Sequence, residues 1–77
     1  MNKARRKAIQ QVIEKLETLK TDIEEIMQQE EEAYDNLPEG LQDSERGQAM
    51  SDNADDLDTA AQDLDDIISN LNDILDR

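Results

Sequence analysis

The sequence predicts an all-α protein, an antiparallel helical hairpin of the coiled-coil type that dimerises into a four-helix bundle. In two long segments, apolar residues recur at alternating steps of three and four, which is the spacing of a helical seam. The run Asn36-Leu37-Pro38-Glu39-Gly40 separates the two segments. The apolar content of 35%, with Tyr34 as the single aromatic residue, suits a narrow seam better than a broad globular core.

The first helix is predicted over about residues 3–36. Its seam consists of Ile9, Val12, Leu16, Leu19, Ile23 and Ile26, continued by Glu30, Ala33 and Leu37. Glu30, as the one acid on the seam, is interpreted as a polar residue that sets the register. Proline disfavours helix at the residue before it, so the helix should end ahead of Pro38.

The connector is predicted at about residues 37–46 and the second helix at about 47–76. Gly40 permits a left-handed turn, and either Ser44 or Ser51 could cap the second helix. From Asp55 onward, three seven-residue units each carry leucine third and an apolar pair at the end. The resulting seam is Met50, Ala54, Leu57, Ala61, Leu64, Ile68, Leu71 and Leu75, widened by Ala60, Ile67 and Ile74.

Folding back at the proline pairs residues whose numbers sum to 83 or 84, such as Leu16 with Ile68 and Val12 with Leu71. Both apolar stripes are wider than a two-helix contact requires. The residues left outside it form the predicted dimer stripe: Ile13, Met27, Tyr34, Ile67 and Ile74. Each is worth about 1.5–3 kcal/mol when fully buried, which favours a homodimer. The competing interpretation is that this stripe binds a different protein.

Several classes of chemistry are excluded by composition. The chain has no cysteine and no histidine, so disulfides, thiol or imidazole catalysis and histidine-containing metal sites are ruled out. Counted from Asp52, an EF-hand would need glycine where Leu57 stands and glutamate where Asp63 stands. We therefore expect no metal and no cofactor. We also expect no enzymatic activity, because a slim bundle offers no concave pocket for a substrate.

Charge is divided unevenly along the chain. Residues 1–20 hold six Lys and Arg against two Glu, whereas from residue 21 onward two Arg oppose 19 acids. The basic opening, Lys3 to Lys7, either neutralises the acidic end of the second helix or touches a membrane surface or a phosphate backbone. No apolar run reaches membrane-spanning length, and the opening lacks the apolar part of a signal peptide, which favours a cytoplasmic protein that is not bound to a membrane.

Seven Asp and no cation lie between Asp52 and Asp66, over about 21 Å of helix axis. That density is close to the 3.4 Å phosphate spacing of one DNA strand, so the surface should repel nucleic acid directly and suit a protein with a basic nucleic-acid-binding groove. The predicted partner-binding residues are Asp55, Asp56, Asp63, Asp66, Glu24, Glu25, Glu31 and Glu32. The alternative is that these acids only keep the chain soluble.

The whole chain resembles small acidic two-helix proteins of phages, prophages and mobile elements. The resemblance lies in the basic start, the run Glu30-Glu31-Glu32-Ala33-Tyr34-Asp35, and above all the connector from Asn36 to Gly47, with its Leu-Pro-Glu and Ser-Glu-Arg elements. It implies a viral or mobile-element setting in the host cell cytoplasm, and small acidic proteins from that setting often block host nucleases, as the anti-restriction and anti-CRISPR inhibitors that imitate DNA do. The predicted function is such an inhibitor; the alternative is a structural or assembly protein that binds through its apolar stripe.

Overall fold

A computed structural model describes all 77 residues and contains three helices, α1 (Lys3–Asp35), α2 (Glu39–Gln42) and α3 (Glu45–Leu75). The two long helices lie side by side in an extended rod whose Cα atoms span 59 × 15 × 13 Å. No strand is present, which confirms the all-α prediction. Neither α1 nor α3 contains a stretch apolar enough to cross a lipid bilayer.

Both long helices begin at a capping side chain. Asn2 Oδ1 accepts a hydrogen bond from the Arg5 amide at 2.9 Å, and Ser44 Oγ accepts one from the Gly47 amide at 3.3 Å. Such bonds satisfy amides that have no partner within the helix. Of the two serines considered for the second helix, Ser44 is the cap, so α3 begins at Glu45, two residues earlier than predicted.

The connector contains a short helical turn, α2, that the sequence did not predict. Gln42 Nε2 donates to the Tyr34 carbonyl at 3.2 Å and ties α2 to the end of α1. No residue in the chain has positive φ, so the expectation of a left-handed turn at Gly40 is wrong. Pro38 instead is the N-cap residue of α2, a position at which its missing N–H costs no helical hydrogen bond.

Three contacts between α1 and α3 define an antiparallel register. Asn53 Nδ2 donates to Glu30 Oε2 at 2.8 Å, and Lys20 Nζ lies 2.8 Å from Asp65 Oδ1. Near the open end of the hairpin, Arg6 Nη2 donates to the Leu75 carbonyl. The residue numbers of these pairs sum to 83, 85 and 81, which confirms the predicted hairpin and its register.

The seam of α3 is confirmed, and its most buried side chains are Ala54, Ala61 and Ile68. The seam of α1 is shifted to one side of the predicted face. Ile13 is 7% exposed, whereas Val12, Leu19 and Ile26 are 45%, 52% and 51% exposed. The row that faces α3 beside Ile9, Leu16 and Ile23 therefore consists of Ile13, Lys20, Met27 and Tyr34.

Side-chain size explains this choice. The buried residues Ala54 and Ala61 leave space that the long side chains of Met27 and Lys20 can fill, and close packing favours that complementarity. Tyr34 lines a shallow groove together with Met50 and Ala54. Lys20 packs its stem along the seam and carries its ammonium group to Asp65, which accommodates a charged residue at a seam position.

The predicted dimer stripe is corrected accordingly. Ile13 is buried within the hairpin, and Met27 and Tyr34 are half-buried in the same seam. Ile67 is exposed and Ile74 is half-buried on α3. The five residues therefore do not form one exposed stripe, because α1 turns three of them toward α3.

Candidate interaction surfaces

The shifted seam gives the hairpin two different flanks, one on each side of the contact between α1 and α3. In an antiparallel helix pair, the positions beside the seam on one helix lie next to the corresponding positions of the other. The bond between Lys20 and Asp65 closes one flank, and the bond between Asn53 and Glu30 closes the other. Each flank can therefore be assigned its residues from the seven-residue spacing.

The acidic flank comprises Glu17, Glu24 and Glu31 of α1 with Asp58 and Asp65 of α3. All five side chains are exposed and stand at seven-residue intervals along their helices. Lys20 is the cation among them. The hydrogen bond to Asp65 raises the pKa of Lys20 above its ordinary value, and the negative charges of Asp65, Glu24 and Glu17 raise it further, while partial desolvation opposes them.

The eight acids predicted from sequence are all exposed but do not share one face. Glu24 and Glu31 belong to the acidic flank, and Asp55 lines a shallow groove with Glu31 beside it. Asp56 lines a groove with Glu30 and Asn53 on the opposite side, and Asp63 follows it by two helical turns.

Glu25, Glu32 and Asp66 occupy heptad positions on the outer faces of the two helices, away from both flanks. The prediction grouped acids by density along the chain and missed Glu17, Asp58 and Asp65. These three residues can be assigned to the acidic flank only when the seam of α1 is known to run through Ile13 and Lys20.

The apolar flank lies on the other side of the seam. It comprises Val12, Leu19 and Ile26 of α1 with Ala60, Ile67 and Ile74 of α3. Four of its larger side chains, Val12, Leu19, Ile26 and Ile67, are about half exposed. A patch of this kind on a small chain marks an interaction surface more often than scattered single residues do.

The basic opening of α1 has a local structural role at Arg6, whose guanidinium group binds the last carbonyl of α3. The final four carbonyls of a helix lack partners within it, and a cation near them interacts favourably with the helix dipole. No ion pair joins the opening to Asp73 or Asp76. Across the whole molecule, no group of three acidic side chains is placed to hold a metal ion.

The pair formed by Lys20 and Asp65 predicts a stability change at alkaline pH. Because the pKa of Lys20 is raised on folding, the ammonium group stabilises the fold fully below its ordinary pKa of 10.5, and this contribution disappears as the pH rises through the folded-state value. The free energy of unfolding, measured from pH 9 to 12, should fall more steeply for the natural chain than for Lys20→Met. Parallel curves would contradict the assigned contact.

Comparison with known proteins identifies no relative for this arrangement. Protein-family models, curated proteins and solved structures were searched, and none matches the chain. The functional proposal therefore depends on the chemistry of the two flanks.

Proposed function

We propose that the protein is a non-enzymatic binding protein that uses its acidic flank to occupy the basic nucleic-acid-binding groove of a partner protein. In the phage or mobile-element setting that the sequence resemblance implies, the partner is a host nuclease, and the protein acts as its inhibitor by imitating DNA. The observation that supports this proposal is the one-sided row of exposed carboxylates, Glu17, Glu24, Glu31, Asp58 and Asp65.

The acidic flank presents its carboxylates as a continuous row, about 5 Å apart on average along the rod. From Glu17 to Glu31 the flank extends over about 21 Å, and the two helices contribute carboxylates alternately along this length. Helices hold these charges on a rigid support, so little ordering cost arises on binding. The cation Lys20 is already engaged by Asp65 and leaves the net charge of the flank strongly negative.

The net charge of −13 adds a long-range contribution. Opposite net charges accelerate association by electrostatic steering, and the effect weakens as salt rises. We therefore expect binding to be fast at low ionic strength and strongly salt-sensitive.

Two matched triple variants test this proposal. Glu24→Gln, Glu31→Gln and Asp58→Asn remove three of the five negative charges of the acidic flank, whereas Glu25→Gln, Glu32→Gln and Asp66→Asn remove the same charge from the outer faces. DNA cleavage by a purified Cas9–guide RNA complex and by a purified type I restriction endonuclease is measured with each protein. We expect the natural chain and the outer-face variant to inhibit at least one enzyme. The flank variant should lose at least about tenfold in potency, since the loss of one close interfacial charge pair worth about 1.5 kcal/mol already has that effect.

Equal inhibition by the two variants would show that net charge, not the acidic flank, determines binding. Failure of the natural chain to inhibit either enzyme would count against the nuclease partner. Circular dichroism of each variant checks that helix content is retained.

We also propose that two hairpins associate into a four-helix bundle. The apolar flank supports this proposal. Four half-exposed aliphatic side chains lie on one side of a 77-residue chain, and removing them from water is energetically favourable. The same observation favours the structural or assembly alternative, in which this flank holds a different protein and neutralising the acidic flank leaves binding unchanged.

A further inference from the structure

We infer that the apolar flank is a two-fold interface in which α1 packs antiparallel against α1 of a second copy of this chain, with Leu19 and Ile67 on the symmetry axis. This inference rests on the self-association proposed above and assigns its surface and geometry. It is independent of the acidic flank, which would point away from the interface in both copies.

The apolar residues of α1 are symmetric about Leu19. Val12 and Ile26 lie seven residues before and after it, so an antiparallel second copy places Leu19 against Leu19 and Val12 against Ile26. On α3, Ala60 and Ile74 stand in the same relation to Ile67. Leu19 and Ile67 lie at about the same height along the hairpin, because their numbers sum to 86 and the interhelix contacts centre near 83.

Charged residues beside the apolar flank are complementary in the same arrangement. Lys15 lies four residues before Leu19 and Asp22 three residues after it, on the same side of α1. A two-fold axis at Leu19 therefore brings Lys15 of each copy near Asp22 of the other, which gives two equivalent ion pairs. On α3, the axis at Ile67 likewise brings Asp56 near Arg77 of the second copy.

The other two-fold arrangement is disfavoured by charge. With the axis along the rod, α1 would pack against α3 of the second copy. Asp22 would then face Asp63, since their numbers sum to 85, as do those of the bonded pair Lys20 and Asp65. Like charges directly opposite at an interface destabilise it, and here the repulsion would occur twice.

The apolar flank occupies the central part of one hairpin face. From Val12 to Ile26 it extends over about 21 Å of a rod whose Cα atoms span 59 × 15 × 13 Å. Covering the face would bury the four half-exposed aliphatic side chains in both copies.

Sedimentation equilibrium at micromolar to submillimolar concentration is the first test. We expect the natural chain to be a dimer and Leu19→Asp to raise the dimer dissociation constant at least about a hundredfold, because two leucine contacts are lost at the axis. Leu41→Asp is the matched control, since Leu41 is equally exposed but lies in α2, outside the apolar flank. A monomeric natural chain would refute self-association itself, whereas a dimer that survives Leu19→Asp with unchanged affinity would refute only this interface.

Charge reversal tests the symmetry. Lys15→Glu and Asp22→Lys should each weaken the dimer, and the double variant should recover most of the loss, because it restores both ion pairs with exchanged signs.

The chain has no cysteine, so Leu19→Cys offers a second readout by oxidative cross-linking. We expect Leu19→Cys to form a covalent dimer much faster than Val12→Cys, whose two copies would lie about 20 Å apart. Equal rates, or a double variant as weak as the single ones, would overturn the assigned axis.

Discussion

Replacement of Ile13 by alanine is expected to reduce the free energy of unfolding by about 2–3 kcal/mol, whereas the same replacement at Ile26 should change it by less than about 0.5 kcal/mol. Ile13 is nearly fully buried between α1 and α3, so truncation removes apolar contacts and leaves a gap. Ile26 is half exposed, and alanine is the better helix former, which offsets the small loss of contact.

The two substitutions are identical in chemistry and lie on the same helix, which makes them a matched pair. Urea denaturation followed by circular dichroism at 222 nm measures both. The concentration should be low enough for the chain to be monomeric, since dimer formation would add to the apparent stability. The reverse order of effects would indicate that α1 faces α3 through Val12, Leu19 and Ile26, as the sequence alone suggested.

Gly47→Ala is expected to destabilise the protein by about 1–3 kcal/mol, although alanine is the better helix former. A Cβ atom on Gly47 would lie 2.6 Å from the carbonyl carbon of Gln42 and from the carbonyl oxygen of Leu41, and closer still to the Gln42 oxygen. All of these are backbone atoms, so α2 would have to move to make room. The glycine is required by this close approach and not by its backbone conformation, since no φ is positive.

Gly40→Ala provides the control for Gly47→Ala. A Cβ atom on Gly40 meets nothing within 4 Å, and the residue lies inside α2. Alanine there should raise the free energy of unfolding by about 0.4–1 kcal/mol, because the unfolded chain loses conformational freedom. Thermal melts should therefore move in opposite directions for the two variants. A higher melting temperature for Gly47→Ala would show that α2 does not pack against the start of α3.

Much of the fold follows from periodicity. The seam of α3 was predictable because only one pair of rows is apolar throughout, and the break at Pro38 determined where the chain folds back. The seam of α1 was ambiguous, since Leu16 and Ile23 can share a stripe with either Leu19 or Lys20. Periodicity favoured the row without a charge. Packing against Ala54 and Ala61 and the partner that Asp65 gives to Lys20 favour the other row, and both are tertiary effects.

The candidate surfaces were predictable only in part, for the same reason. A row shift on α1 moves Val12, Leu19 and Ile26 to the outside and brings Glu17 and Glu24 beside Asp65. Acid density along the chain indicated an acidic surface but could not tell which side of the hairpin each carboxylate occupies. The helical turn of α2 was missed because four residues are too few to produce a recognisable period.

The contact face of α1 determines both flanks, so it is the point to measure most directly. Methyl-specific NMR can detect nuclear Overhauser effects between α1 and α3 in the natural chain at a concentration where it is monomeric. The register and the seam together predict stronger effects to the methyl groups of Leu71 from Ile13 than from Val12. Strong nuclear Overhauser effects between Val12 and Leu71, without any between Ile13 and Leu71, would contradict the division into an acidic and an apolar flank.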